Sequence, residues 1–570
     1  MIAKVKQFFR KESAKNIVIL LILAIIVCIP LFFKNYNITK DDGIQHIYRL
    51  IGTMDSLKDG QQIPLIMPKL ANNFGYSWSI FYSPLTAFLP LVFRLVTSSY
   101  VVMLKLFMLT TMFLSGLFMY QFIRKATGNG KAAIIGAVLY MYAPYHLTDL
   151  YLRSAIAELT SFVFLPLVFL GMYSIFHEEP KKGYYLAIGT IGLILTHNIA
   201  TVITAIFCFI YVLLHIKKLK NKQVIKALIV NLTFVLLITS FFTIPLLEHK
   251  NAATYDVFIP DRMGSLKSAS EQSIKLKQLF VAEKSDLLVF VIGIPTLILL
   301  ALTPLTIKEL TREKRNLLIT FLCFGFVCVL LSLKIFPYEK MPEIFGMFQF
   351  PWRFLEFSVF FLSVVCAINL DFLIKRFSYK DVLVLVLIIL AYTYTLNTHL
   401  TYDSFDETTI IDGPRIEKNT GRIHAGCASF EYLPHRAFVN RDYISDRKDI
   451  VYVLEGEASI IEEYKQGTKM EITIQQAKAN SKLELPYIYY LGYEVTLISE
   501  NGDKQKLTTY ESDNGFVEIT LPQCTNSKIT VRYSGTIWMK LAYILSFVSA
   551  IIFIYTIYSK NKKEKQSEKR

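Results

Sequence analysis

The chain has 570 residues, 53% of them hydrophobic and only 19% charged, with a mean hydropathy of +0.41. That composition excludes an ordinary soluble domain. The net charge of +16 does not signal nucleic acid, because Lys and Arg stand in short clusters between apolar runs, as the positive-inside rule requires of a membrane protein.

Lys4, Lys6, Arg10, Lys11 and Lys15 precede the first apolar run and predict a cytoplasmic N-terminus. The run lacks a small-x-small cleavage site and ends on Pro30, Phe32 and Phe33, which predicts an uncleaved helix over 17–33. A long outer loop follows over 34–100. Its last part, 84–97, contains Pro90 and Arg94 and is short. Only one crossing can join an outer loop to the basic loop at 124–131, so 84–97 reads as an interfacial helix and 101–123 as the next span. The same parity argument divides 184–215, which has lysines at both ends, into two helices that turn at Thr196–His197–Asn198. Further spans are predicted over 132–146, 158–176, 226–245, 287–306, 316–333, 353–370, 382–398 and 538–558. The total is about twelve transmembrane helices, with the C-terminal tail cytoplasmic.

Residues 399–534 read differently. Alternating runs such as KMEITI, FVEITL and KITVRY, punctuated by GDK and DNG, predict an all-β module, sandwich-like, on the outer side. The chain therefore divides into a membrane domain (1–398), an extracytoplasmic β domain (399–534) and a final helix with a basic tail (535–570). The seven cysteines have no CxxC or Cys/His metal spacing; Cys427 and Cys524 both fall in the β domain and are candidates for a disulfide.

Four polar segments gather at predicted outer boundaries. In 39–50, a helix starting near Asp42 puts His46 and Arg49 on the same face, a combination able to act as base, hydrogen-bond partner and phosphate clamp. Gly43 would let the backbone approach a substrate closely. The plainer alternative is that Asp41 or Asp42 caps an interfacial helix. In 145–158, His146, Asp149 and Arg153 recur at helical spacing and Glu158 begins the next span, either as a site or as a surface helix with an i,i+4 Asp149–Arg153 pair. His197 stands at the hairpin turn, as a functional group or a solvated turn residue. Trp352 and Arg353 stand where a loop enters a span, where an aromatic belt with a snorkelling Arg competes with an Arg that holds a lipid-linked phosphate.

Taken together, these segments resemble the bacterial membrane proteins described as 6-pyruvoyl-tetrahydropterin synthase-related, which are similar to YfhO-like proteins and look like members of the GT-C superfamily of glycosyltransferases. The matching residues are 42–49 (DGIQHIYR), 145–153 (YHLTDLYLR) with Glu158, 195–198 (LTHN), 350–354 (FPWRF) and 431–434 (EYLP). Asp41 departs from the pattern, where Gly is the usual residue. The soluble synthase's zinc-binding histidines have no counterpart. The resemblance implies a GT-C-like helical membrane protein that moves a sugar from a polyprenyl-phosphate donor to a cell-envelope glycopolymer or glycolipid at the outer face of the cell membrane. Asp42, with Asp41, would be catalytic. His46, Arg49, His146, Asp149, Arg153, Glu158, His197, Trp352 and Arg353 would bind substrate. Whether a divalent metal ion takes part is left open. The rival readings are a flippase for a lipid-linked glycan and a non-catalytic protein that binds envelope polymer.

Overall fold

A computed structural model describes residues 12–33, 36, 38, 41–259, 264–282, 288–374, 427 and 430–567. Seven of its helical segments are long and apolar enough to cross a membrane: Ala14–Phe32, Tyr100–Thr127, Ile156–His177, Lys222–Ala252, Arg312–Ser332, Pro351–Ile374 and Ile537–Lys560. Four other predicted spans fold as shorter apolar helices, Gly130–Met141, Tyr184–Ile194, Asn198–Leu214 and Ile294–Thr306. The predicted span 382–398 lies outside the described residues.

The helices are α1 (Glu12–Cys28), α2 (Gly43–Lys58), α3 (Tyr100–Thr127), α4 (Gly130–Met141), α5 (Ile156–His177), α6 (Tyr184–Ile194), α7 (Asn198–Leu214), α8 (Lys222–Ala252), α9 (Ile294–Ala301), α10 (Arg312–Ser332), α11 (Phe354–Ile374) and α12 (Ile537–Ser567). Their ends follow local chemistry. Ser99 caps α3 by accepting from Val102 N, and Asn129 caps α4 by accepting from Lys131 N and Ala132 N. The predicted span 132–146 stops early at Met141 because Pro144 pushes the residue before it out of helical geometry. The predicted span 287–306 begins only at Ile294, after Gly293 at φ +96° and with Pro295 in its first turn. The segment read as an interfacial helix, 84–97, is a turn of α-helix over Leu85–Phe88 followed by a 3-10 helix over Pro90–Leu95.

Helices α5 and α11 lie at the centre: 89% and 78% of their apolar stretches are buried, against 28% for both α8 and α12. Rings join the central helices to their neighbours, with Phe169 and Phe360 centroids 5.1 Å apart and Phe321 and Phe361 5.3 Å apart. Such close packing matters where lipid is as apolar as the side chains, because contact rather than water exclusion then drives association. At the periphery, Ser546 of α12 meets Ser240 of α8 at 2.9 Å and accepts from Phe241 N.

Among the described residues, nine antiparallel strands lie between α11 and α12: β1 (Tyr452–Glu455), β2 (Ala458–Gln466), β3 (Lys469–Ala477), β4 (Ser481–Ile488), β5 (Tyr493–Ile498), β6 (Lys504–Leu507), β7 (Thr509–Glu511), β8 (Phe516–Leu521) and β9 (Cys524–Tyr533). They form two sheets, β1-β4-β8-β7 and β2-β3-β9-β5-β6. Alternate residues of both sheets, among them Ile472, Leu483, Val495, Ile519 and Ile529, share one core. The all-β reading holds from Tyr452 onward but not before it. His435–Val439 and Arg441–Asp446 are short helices, and 399–426 lies outside the described residues. Among the described residues no disulfide joins Cys427 to Cys524. Cys427 lies under Tyr76, whose hydroxyl donates to its carbonyl, whereas Cys524 begins β9 and packs against the sheet core.

Candidate functional site

Two of the four polar segments, 39–50 and 145–158, meet at Arg153; Arg353 of a third reaches Glu158, and the charge on Glu158 is felt by His197 of the fourth. Arg153 ends a π-helical turn, Thr148–Arg153, that follows the Pro144 break; Ser154 then takes φ +48° and α5 begins at Ile156. Turns of this widened kind cluster at functional sites. From this position the guanidinium meets four carboxylates. Nε donates to Asp41 (3.3 Å), Nη2 to Asp42 (3.1 Å), and Nη1 to Asp149 (2.8 Å) and Glu158 (2.6 Å). The backbone reinforces this, since Asp42 N donates to Arg153 O at 3.1 Å.

The aspartates of the first loop are therefore not helix caps. Asp42 occupies the N-cap of α2 without a side-chain cap bond, and Asp41 takes φ +47°. Asp, which tolerates the left-handed region, stands here where Gly would be at ease. Both side chains are about half exposed, 51% for Asp41 and 46% for Asp42. Burial of its other half, then the charge of Asp42, raises the Asp41 carboxyl above the usual range. Gly43 serves packing rather than substrate approach: a Cβ there would lie 1.8 Å from Ile38 O and 2.8 Å from Ser154 Cβ.

Behind Arg153 the site is closed. Asp149 is fully buried, and Oδ2 has no hydrogen-bond partner among the described residues. Burial, then the adjacent Glu158 carboxylate, pushes its carboxyl well above the usual range. Tyr145 donates to Glu158 Oε1 at 2.5 Å. Ser161, one turn further along α5, donates to Glu356 of α11 at 2.5 Å. The two central helices thus bring a glutamate each to this end of the bundle, and sequence reading missed Glu356 and Tyr145. Glu356 follows Arg353 by three residues, and that helical offset was the available signal.

Arg353 reaches the cluster from the 3-10 turn Pro351–Arg353, with Nε 3.8 Å from Glu158 Oε2. Its Nη1 donates to Gln349 at 3.3 Å, and its guanidinium carbon lies 4.8 Å from the Phe350 ring centroid. Trp352 stacks on Phe350 and Phe290. His197 is the N-cap of α7, its Nδ1 accepting from Ala200 N, so the predicted turn is a built cap rather than a solvated one. Burial, then the positive charge of Arg353, lowers its pKa to about 4. His46 is buried and its Nδ1 has no partner among the described residues; burial, then Arg49, lowers it to about 3.

Two predicted binding residues stand apart. Arg49 lies over the Tyr82 ring at 3.9 Å and near Trp78 at 5.6 Å, a buried cation–π stack rather than an open phosphate clamp. His146 is wholly buried, stacked on Phe162 at 3.8 Å with Nδ1 against Tyr140 O, and is a core histidine. The segment 431–434 belongs with Arg49 rather than with the sheets. Tyr432 stacks parallel to Phe81 at 5.7 Å, Leu433 O accepts from Asp256 N, and the Glu431 charge favours the Arg49 cation.

A divalent ion does not fit this arrangement. The space among the four carboxylates is filled by the Arg153 guanidinium, and among the described residues no three acidic, His or Cys side chains converge to hold a metal.

Two comparisons bear on the chain as a whole. An uncharacterised protein of Lactococcus lactis subsp. cremoris (strain MG1363) is 26% identical over 610 aligned positions, covering 96% of both chains. The family model described as "6-pyruvoyl-tetrahydropterin synthase related domain; membrane protein" matches residues 80–405, which take in Arg153, Glu158, His197 and Arg353. With more than half of its length so matched, the chain is a member of the 6-pyruvoyl-tetrahydropterin synthase-related family of membrane proteins.

Proposed function

We propose that this protein is a membrane glycosyltransferase of GT-C type that moves a sugar from a polyprenyl-phosphate donor to an extracytoplasmic envelope acceptor. One observation carries the reading: two half-exposed aspartates are pinned by a buried arginine at the end of the two most buried apolar helices, with a second arginine beside them. A lipid-linked anionic donor needs a site where polar groups meet the membrane boundary, and this reading is supported by the cluster's place at one end of the central apolar helices.

Asp42 is the base. Its main chain is tied to Arg153 O and it leads directly into α2, so one carboxylate oxygen is held while the rest of the group faces outward. It takes the proton of the acceptor hydroxyl as that oxygen attacks the sugar's anomeric carbon. The bond from that carbon to the phosphate oxygen breaks, and the phosphate leaves with the electron pair. Arg353 neutralises the leaving phosphate. Arg153 positions the aspartates, because its own nitrogens are already committed to carboxylates.

This reading places the N- and C-termini in the cytoplasm and 399–534 outside. Cysteines introduced in the 450s would then react with an impermeant reagent, and ones at 312 or 562 would not. The activity is tested by sugar transfer from a polyprenyl-phosphate sugar to an envelope acceptor by the purified chain. Asp42→Asn should lower the rate by ~10²–10⁴-fold at equal protein levels, and Asp41→Asn by much less. Full activity in the Asp41→Asn/Asp42→Asn double variant would remove the first loop from the mechanism. Glycan movement across a vesicle without transfer would establish the flippase instead.

A further inference from the structure

The bundle has a second polar site at the other end of the same helices. Ser174 lies sixteen residues beyond Glu158 on α5, about 24 Å along the axis. There a cavity of about 550 Å³ opens between α1, α3, α5 and α6. Its lining is divided. Ile17, Leu117 and Leu170 form an apolar strip, while Arg124, Lys182 and Tyr184 supply cations and a hydroxyl. Leu117 lies seven residues, about 10 Å, further into α3 than Arg124, so the apolar strip leads inward from the charges.

The cations are unequally satisfied. Lys125 pairs with Glu178 at 2.7 Å, and Lys182 stands 3.5 Å from Glu179. Among the described residues no carboxylate meets Arg124. Its Nη1 donates to the Tyr120 hydroxyl at 3.3 Å, and that hydroxyl accepts from Asn16 as well. An exposed guanidinium over a cavity whose inner wall is apolar matches a ligand with an anionic head and a hydrocarbon tail.

We propose that this cavity binds a membrane lipid whose phosphate headgroup carries a net negative charge, with Arg124 and Lys182 on the phosphate oxygens and the chain along Ile17, Leu117 and Leu170. A free phosphate ion offers the same oxygens but leaves the apolar strip unfilled. The site is independent of the Arg153 cluster and of the activity assigned to it.

The test uses the purified full chain in detergent with phosphatidylglycerol and phosphatidylcholine of identical acyl chains, read by native mass spectrometry. The intact protein retains phosphatidylglycerol in preference to phosphatidylcholine. Arg124→Gln and Lys182→Gln each lower that retention about fivefold. Leu117→Trp fills the strip, keeps both cations and also lowers it. Because Arg124 is exposed, its replacement leaves the helix packing intact, and an unchanged melting temperature verifies this. Equal retention of the two lipids, or undiminished retention by the Arg124→Gln protein, overturns the proposal. Displacement of phosphatidylglycerol by millimolar inorganic phosphate, with no effect of Leu117→Trp, assigns the site to a soluble anion and also overturns it.

Discussion

Arg153 Nη1 lies 2.6 Å from Glu158 Oε2, and the two side chains are only 4% and 2% exposed. A pair so enclosed does not stabilise a fold by its mutual attraction alone, because removing both charges from water costs as much as the attraction returns. Its value is geometric: among the described residues Arg153 is the one group that touches both aspartates of the first loop and both acids of the following segment.

Removing that hub leaves buried carboxylates without a partner. Arg153→Ala should destabilise the protein by ~3–5 kcal/mol, read as a lowered melting temperature in detergent. Arg153→Lys keeps the charge but not the fork, and cannot reach all four acids at once. It should melt between the two. Equal melting of Arg153→Ala and the parent would show that the cluster is not a structural unit.

In the proposed reaction, Arg353 is the cation that meets the donor phosphate. Arg353→Lys should raise the KM for the donor roughly tenfold or more, the worth of a hydrogen bond to a charged group, with little change in melting. An unaltered donor KM in both the Lys and Ala variants would return Arg353 to an interfacial anchor.

Acid should weaken the fold through two histidines. His46, at about 3, is held neutral by burial and then by Arg49; Arg153 and His197 act in the same direction and Asp42 opposes them. His197, at about 4, is held neutral by burial and then by Arg353, again with Arg153, while Glu158 and Asp42 oppose. Both folded values lie below the ordinary 6.5. Their contribution is therefore fully present above pH ~6.5 and is lost as pH falls toward the folded values. At pH 5 the loss is about 2 kcal/mol for each. Asp41 works in the opposite sense, since its raised carboxyl favours the folded state only while protonated. The melting temperature should fall between pH 7 and pH 5, and fall less in His46→Gln. A melting temperature that is level across that range, or identical slopes for the two proteins, would refute the assignment.

The β domain meets the first loop at several places, among them Ile488 N, which donates to Phe74 O at 2.9 Å, Lys465 Nζ, which donates to Asn73 O at 2.8 Å, and the β2–β3 turn. The Asp59 carboxylate accepts from Thr468 N at 3.2 Å and from Thr468 Oγ1 at 2.5 Å. Gly467, at φ +58°, has no room for a side chain: a Cβ would lie 1.9 Å from Asp59 Oδ1. Asp59→Ala should cost about 1.5–3 kcal/mol and raise amide exchange at the β2–β3 turn. Gly467→Ala should do the same by separating the two surfaces. Unchanged exchange in both would show that other contacts hold the domain.

Much of this arrangement was legible in the sequence, where apolar runs and basic clusters mark the long helices and two-residue alternation marks the strands. The four polar segments were legible as separate patches, because helical spacing reports which side chains share a face. It does not report which faces meet. Arg153 looked like a ligand-binding cation on spacing, but its nitrogens are taken by two acids of its own segment and two of the distant first loop. Arg49 looked like a clamp, yet Trp78 and Tyr82, remote in helical register, cover it. Tyr145 carries no charge to mark it, and Glu356, three residues beyond Arg353, shows its partner Ser161 only once α5 and α11 are placed side by side.

The position of Tyr432 has a consequence for biogenesis. It sits on Phe81, and its backbone N donates to the Tyr76 hydroxyl across 356 residues of sequence. The cover of Phe81 and Tyr76 is thus supplied by a segment the ribosome makes about 350 residues after them. Until then, Tyr76 and Phe81 lack their cover, and the nascent chain has an aromatic surface open to chaperones. Closing so long a separation is slow, so the pocket is finished late, after the helices around it are already in place.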